Sequence, residues 1–253
     1  MTEMTREELV AKARALAPGI AERAQQCENL RRVPDETIEE FKREGLFRVF
    51  VPTEYDGYSM ELKTVIETSR EIGRVCGNSA WCLAICTLHS HIVTGFPEAG
   101  VKKVFANGPD AVICGVFMPG GVATRVDGAY SLKGTWDFAS NSDHADYAVL
   151  AAFIADKPGG EATGMGSFLI KRSDFSLEDN WYVSGLAGTG SKRVLVDDVI
   201  VDPDLMMPTV LDMAVTGDRD TTARGRLADG VPGSSIATLG LVGVGLGIAT
   251  GAL

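Results

Sequence analysis

The chain has 253 residues, with 24 Lys and Arg against 34 Asp and Glu, a formal net charge of −10. That balance argues against phosphate backbones and anionic membrane surfaces as partners, since neither attracts a net anion; nucleic acid and membrane are both set aside. The length exceeds that of one ordinary domain, so two units, or one unit with part of another, are expected.

The opening MTEMTREELVAKARA mixes acids and bases on a helical pattern, with no apolar run of the secretory kind, and implies a cytoplasmic start. Five cysteines, Cys27, Cys76, Cys82, Cys86 and Cys114, lie scattered in apolar segments. That usage fits reduced, buried thiols and no disulfides.

From Glu7 to Leu30 the positions Leu9, Ala13, Leu16, Ile20, Ala24 and Cys27 step by three or four, which predicts one amphipathic helix. A second helix is expected from Pro34, tolerated in a first turn, to Gly45, suited to a left-handed end. A third fits Leu62 to Cys76, with Leu62, Val65, Ile66, Ser69, Ile72 and Gly73 on one side. The fourth segment, NSAWCLAICTLHSHIVTGF, is apolar on nearly every face and reads as a central buried helix, with Asn78 or Ser79 as N-cap.

After Gly108-Pro109 the texture changes to short β-rich runs split by Gly, Asp and Asn, among them AVICGVF, AYSLKGTW, DYAVLAAFI, SFLIKR and RVLVDDVIV. The fold class is therefore α+β: an N-terminal helical domain over residues 1–108, then an antiparallel sheet domain over 109–208. The charged, Gly-rich TGDRDTTARGRLADGVPG predicts a linker over 209–233. The last twenty residues, 234–253, carry no charge. Their length would suit a membrane span, but they lack a basic flank and are rich in Gly, Ala, Ser and Thr; the first helix of a C-terminal bundle is the better reading.

Within that last segment GVGLGIATG has neither the preceding strand nor the later acid of a dinucleotide site, so close helix packing explains it better. GLAGTGSKR, Gly185 to Arg193, offers amides, two hydroxyls and two cations. It reads equally as a phosphate or carbonyl cradle and as a hairpin turn. Cys82, Cys86 and His89 fall at i, i+4 and i+7 and would share a helix face; packed thiols, and no metal, are the reading preferred. His89 and His91 end the same helix, where an imidazole is either satisfied by the backbone or faces a cavity as an acid, base or phenol partner.

The pieces LRRVPDETIEEFKREGLFRVFVPTEYDGY, LHSHIVTGFPEAGVKKVFA, GTWDFASNSDHADYAVL and WYVSGLAGTGSKRVLVDDVIVDP, in that order, resemble the acyl-CoA dehydrogenase fold. Within it they are most similar to the flavin-dependent monooxygenases, the oxygenase components of two-component aromatic hydroxylases. The resemblance runs from about Leu9 to Leu253 and implies an N-terminal helical domain, a middle β-barrel over 109–208 and a C-terminal four-helix bundle that also builds a homotetramer, with this chain ending inside its first helix. It further implies reduced FMN or FAD supplied by a separate flavin reductase, and a phenol-like aromatic substrate.

By the same resemblance Trp136, Phe138, Ala139 and Met118 border the flavin ring, and Ser140 places its hydroxyl near flavin N5. His89, ahead of Phe96-Pro97, is the implied catalytic histidine, binding or deprotonating the substrate hydroxyl, with Cys114 and Gly115 beside the substrate. Dehydrogenases of this fold carry Thr-Glu-Pro and then Gly-Ser-Asp where the β domain begins; here VFMPGGVAT, Val116 to Thr124, has no acid, which favours the oxygenase branch. An acyl-CoA dehydrogenase and a non-catalytic scaffold remain the two alternatives. The dehydrogenases' glutamate and the monooxygenases' second histidine would both belong to the bundle beyond Leu253.

Overall fold

The computed structural model describes residues 4–208 and 238–253. Six helices come first: α1 Arg6–Glu22, α2 Ala24–Leu30, α3 Asp35–Glu44, α4 Leu62–Gly73, α5 Gly77–Val93 and α6 Glu98–Val104. Thr5 and Glu8 form a reciprocal capping box at the start of α1. The single helix expected over Glu7 to Leu30 is two, because the chain breaks at Arg23, whose amide turns back to the Gly19 and Ala21 carbonyls. Pro34 and Gly45 bound α3 as expected, Gly45 at φ +75°.

α5 is the buried central helix: 13 of its 17 residues are buried and the other four are partly buried. Its N-cap is Cys76, in extended backbone and with no side-chain cap bond, rather than Asn78 or Ser79. Both of those lie inside the first turn and are otherwise engaged. Asn78 donates to Glu28 Oε1 at 2.6 Å, and Ser79 donates to Cys76 Sγ at 3.2 Å.

Eight strands follow: β1 Ile113–Val116, β2 Gly121–Val126, β3 Ala129–Ala139, β4 Tyr147–Ala155, β5 Ala162–Lys171, β6 Ser176–Glu178, β7 Lys192–Val201 and β8 Met206–Pro208. They pair in the order β6-β7-β3-β2-β4-β5-β8, with β1 also on β4. The pairings are antiparallel except that β1 and β2 both run parallel to β4. Ile113 faces Tyr147 while Val122 faces Phe153, so nine residues on one side span six on the other. The surplus is extruded at Phe117 to Gly120, between the two strands.

The sheet wraps one core that includes Trp136, Leu132, Phe168, Ile170 and Val194. The helices share another, built on Leu9, Ile38, Phe41, Phe47, Ile72, Leu83 and Leu88. All five cysteines are buried free thiols. The expected linker at 209–233 and the first residues of the expected final helix lie outside the described residues. The helix itself, α7 Val242–Gly251, lies along α4. A Cβ at Gly243 would stand 2.2 Å from Ile66 O, at Gly247 2.5 Å from Arg70 O, and at Gly251 2.1 Å from Arg74 O. This glycine stripe is therefore a contact surface that lets two helix backbones touch. Among the described residues no helix is long and apolar enough to cross a membrane.

Candidate active site

Cys82, Cys86 and His89 do share a face of α5, and that face is the seam on which the helix meets the sheet. Cys82 Sγ lies 3.6 Å from Thr189 O, Cys86 Sγ accepts from Asn141 Nδ2 at 3.4 Å, and His89 Nδ1 lies 2.8 Å from Ile113 O. The three side chains are spent on three different partners. Among the described residues no cluster of potential metal ligands occurs.

The His89 contact settles its tautomer. A carbonyl only accepts, so Nδ1 carries the hydrogen and, in the neutral ring, Nε2 is a bare acceptor. Burial pushes the imidazole pKa down to about 4, opposed only by that backbone hydrogen bond. The ring is held edge-on against Phe117, with centroids 5.4 Å apart, by the segment extruded between β1 and β2. Gly115 lies alongside: a Cβ there would be 3.3 Å from Nε2 and 3.2 Å from Cε1. Any larger residue would crowd the open nitrogen.

Ser140 is set by a second irregularity. Trp136 pairs with Val194 and Ala139 with Lys192, so β3 carries one residue more than β7 between those pairs. The extra residue makes a bulge, in which Phe138 adopts φ +69°. A left-handed conformation costs a phenylalanine on the order of 1 kcal/mol. Its consequence is geometric: Phe138 turns outward and is 69 % exposed, resting edge-on against Trp181, while Ala139 is fully buried. Immediately after, Ser140 Oγ accepts from Trp81 Nε1 at 3.1 Å and lies 2.8 Å from Ser191 Oγ. Ser191 Oγ in turn lies 2.7 Å from Thr189 Oγ1.

The remaining expected residues divide by the direction they face. Met118, in the extruded segment, is 72 % exposed. Trp136 is buried inside the sheet, its indole donating to Ala151 O at 2.6 Å and its ring filling the space left by Gly120, Gly121 and Gly134. Cys114 belongs to the same interior core, on the opposite face of β1 from Gly115, and burial raises its thiol pKa. His89 and Gly115 are thus brought together; Ser140 stands on the same helix by way of Trp81, eight residues and about 12 Å along α5 from His89.

The loop at 185–193 is neither an open cradle nor a simple hairpin. Its cations are consumed by protein carboxylates: Lys192 bonds Asp143 at 2.7 Å and Arg193 bonds Asp137 at 2.8 Å. Its middle is pressed onto the helices, since a Cβ at Gly188 would stand 2.4 Å from Cys27 Sγ. Of its two hydroxyls, Ser191 reaches Ser140 and Thr189 reaches Ser191. These, with Trp81, are the residues that sequence reasoning did not assign. The signals were present, two hydroxyls in a glycine-rich turn and an indole in an otherwise aliphatic helix, but nothing in their spacing joined them. A flat heteroaromatic ring with a hydrogen-bonding edge fits this chemistry: the exposed Phe138 ring, resting edge-on against the half-buried Trp181, stands two residues before the Ser140 hydroxyl.

Residues 3–103 match the acyl-CoA dehydrogenase N-terminal domain. The chain is 36 % identical over 187 residues to the flavin-dependent monooxygenase oxygenase subunit HsaA of Rhodococcus jostii (strain RHA1), covering 74 % of this chain and 48 % of that one. It is 31 % identical over 251 residues to the FADH2-dependent resorcinol hydroxylase oxygenase component of Rhizobium sp. (strain MTP-10005), covering 97 % and 60 %. It thus spans about half the length of the first relative and three-fifths of the second. The crystal structure of the HsaA monooxygenase from M. tuberculosis superposes with a TM-score of 0.88 at 29 % identity, covering 98 % of this chain and 68 % of that one. The chain belongs to the acyl-CoA dehydrogenase fold superfamily and, within it, is most like the oxygenase components of flavin-dependent monooxygenases.

Proposed function

We propose that the protein acts as the oxygenase component of a two-component system, taking reduced FMN or FAD from a separate reductase and using O2 to hydroxylate a phenol-like aromatic. Bound reduced flavin supplies the electrons for oxygen activation; the chain's own residues bind, orient and exclude water. The observation that carries the reading is the His89 tautomer. A buried neutral imidazole with its hydrogen committed to Ile113 O presents Nε2 as an acceptor, the group that a phenolic O–H requires.

A ring with pKa near 4 is a weak base for a free phenol. It becomes a stronger one as the phenol oxygen gains negative charge beside it, because that charge favours the imidazolium. His89 thus holds the substrate hydroxyl and takes its proton as the aromatic ring becomes nucleophilic. Gly115 keeps the approach to Nε2 clear, Phe117 fixes the imidazole plane, and Ser140 offers its oxygen to the flavin edge at N5. Phe138 and Met118 supply exposed apolar surface for the flavin ring.

The relatives include a resorcinol hydroxylase, whose substrate is itself a phenol. The outward apolar residues Leu239, Val242 and Leu246 of the C-terminal segment support assembly into a homotetramer through further helices. Cytoplasmic placement follows from the need for a reduced-flavin donor. The test is to mix the protein with chemically reduced FMN or FAD, a panel of phenols and air, and to analyse products by chromatography. A hydroxylated phenol is expected, with His89→Asn slower by about 10²- to 10⁴-fold, the usual worth of a positioned base. Absence of product from every phenol, with flavin reduction by an acyl-CoA, would refute it.

A further inference from the structure

The helical layer holds a pair of thiols that the proposed site does not use. Cys27 lies in the middle of α2 and Cys76 at the N-cap of α5, 1 % and 5 % exposed. Two contacts pin these helices together at that point. Asn78, two residues after Cys76, donates to Glu28, the neighbour of Cys27, at 2.6 Å. A Cβ at Gly188 would stand 2.4 Å from Cys27 Sγ and 2.9 Å from Asn78 Cγ, so the two side chains close on one spot. Across this junction the Cys27 and Cys76 thiols are hydrogen-bonded to each other.

The two sulfurs are not equivalent. Cys76 Sγ accepts the Ser79 hydroxyl at 3.2 Å and sits at the N-terminal end of a 17-residue helix, where the backbone favours an anion. Its thiol is held down to about 6, chiefly by the hydrogen bond from Cys27 and further by Ser79, against the cost of burial. Cys27 is pushed up by that same hydrogen bond and by burial. Its hydrogen lies between two acceptors, Cys76 Sγ and the Gly188 carbonyl 3.5 Å away. Cys82, Cys86 and Cys114 are raised by burial, which keeps them protonated and unreactive.

We propose that Cys76 and Cys27 form a peroxide-reactive pair, with Cys76 as the nucleophile and Cys27 as the resolving thiol. The Cys76 thiolate attacks one oxygen of hydrogen peroxide; the O–O bond breaks, hydroxide leaves, and the sulfur, oxidised by two electrons, becomes a sulfenic acid. Cys27 then attacks that sulfur, the S–O bond breaks, and the Cys27 proton leaves with the hydroxide as water. Two thiols and one peroxide give one disulfide and two waters. Burial selects the oxidant, since peroxide is hardly larger than water and a glutathione disulfide does not reach a sulfur that is 5 % exposed. The disulfide has no hydrogen for Gly188 O, so the loop at 185–193 is the first element to register oxidation.

The test exposes the folded protein to hydrogen peroxide and, separately, to glutathione disulfide, then alkylates and digests it for mass spectrometry. A Cys27–Cys76 cross-link that dithiothreitol reverses is expected with peroxide and not with glutathione disulfide, with Cys82, Cys86 and Cys114 unmodified. In Cys27→Ser the sulfenic acid should accumulate at Cys76 and be trapped by dimedone, whereas in Cys76→Ser the Cys27 thiol should survive peroxide. Trapping in Cys27→Ser should slow about tenfold from pH 8 to pH 5, as the thiolate is protonated. Circular dichroism checks that each variant is folded, and the wild-type cross-link decides if either is not. A cross-link to Cys82, trapping at Cys27 in place of Cys76, equal reaction with the two oxidants, or a folded wild type whose pair stays reduced in peroxide would each overturn the proposal.

Discussion

His89 owes its behaviour to two neighbours and to burial. Ile113 O fixes which nitrogen holds the hydrogen, Gly115 leaves the other open, and desolvation keeps the ring neutral. The folded pKa of about 4 lies below the ordinary 6.5, so between those values the unfolded chain binds the proton and the folded one does not. Stability present above pH 6.5 is therefore lost as pH falls toward 4. His144, partly buried, shifts the same way, chiefly through desolvation. Wild type should lose about 2–3 kcal/mol more than His89→Asn between pH 7.5 and 4.5 in urea unfolding. Parallel pH profiles would mean the imidazole is not held neutral. The family pattern of the sequence singles out His89, Gly115 and Ser140, and the structure places His89 and Gly115 side by side. That Trp136 and Cys114 face the interior was not, because the two faces of a strand are told apart only by pairing, and both residues suit either side.

At the scale of the element, the helices were read well where punctuation is chemical: Pro34 and Gly45 bound α3, and an all-apolar α5 could only be central. The break at Arg23 and the Cys76 cap escaped, since each depends on a partner distant in sequence or on backbone hydrogen bonding that periodicity does not report. The two irregularities that build the site, the extrusion at Phe117 to Gly120 and the bulge at Phe138, also left no local signature. Close packing of α7 on α4 was expected from the glycine spacing and is what the contacts require. Gly247→Val should cost about 1–3 kcal/mol by overpacking, because its Cβ would meet Arg70 O at 2.5 Å and Gly73 Cα at 2.8 Å. Gly245 has nothing within 4 Å, so Gly245→Ala should instead stabilise by about 0.5–1 kcal/mol through helix propensity. Opposite signs in chemical denaturation are the expected outcome, and equal effects would contradict the docking.

Over the whole molecule, a helical layer and a β layer meet along one face of α5, and both candidate catalytic positions lie on that seam. The α+β architecture was readable from the change of texture after Gly108-Pro109; the parallel pairing of β1 and β2 with β4 was not, since parallel and antiparallel neighbours have the same apolar composition. Along the seam Cys82, Cys86 and His89 each bond a different partner in the β layer, and no cluster of potential metal ligands occurs among the described residues. On the proposed function, this seam directs oxygen from O2 into a phenol. Its most direct test is a single turnover with reduced flavin, a phenol that the protein binds and 18O2, followed by mass spectrometry of the product. One atom of 18O in the hydroxylated product is the predicted result; unlabelled product, or peroxide release with the phenol unchanged, would contradict the account.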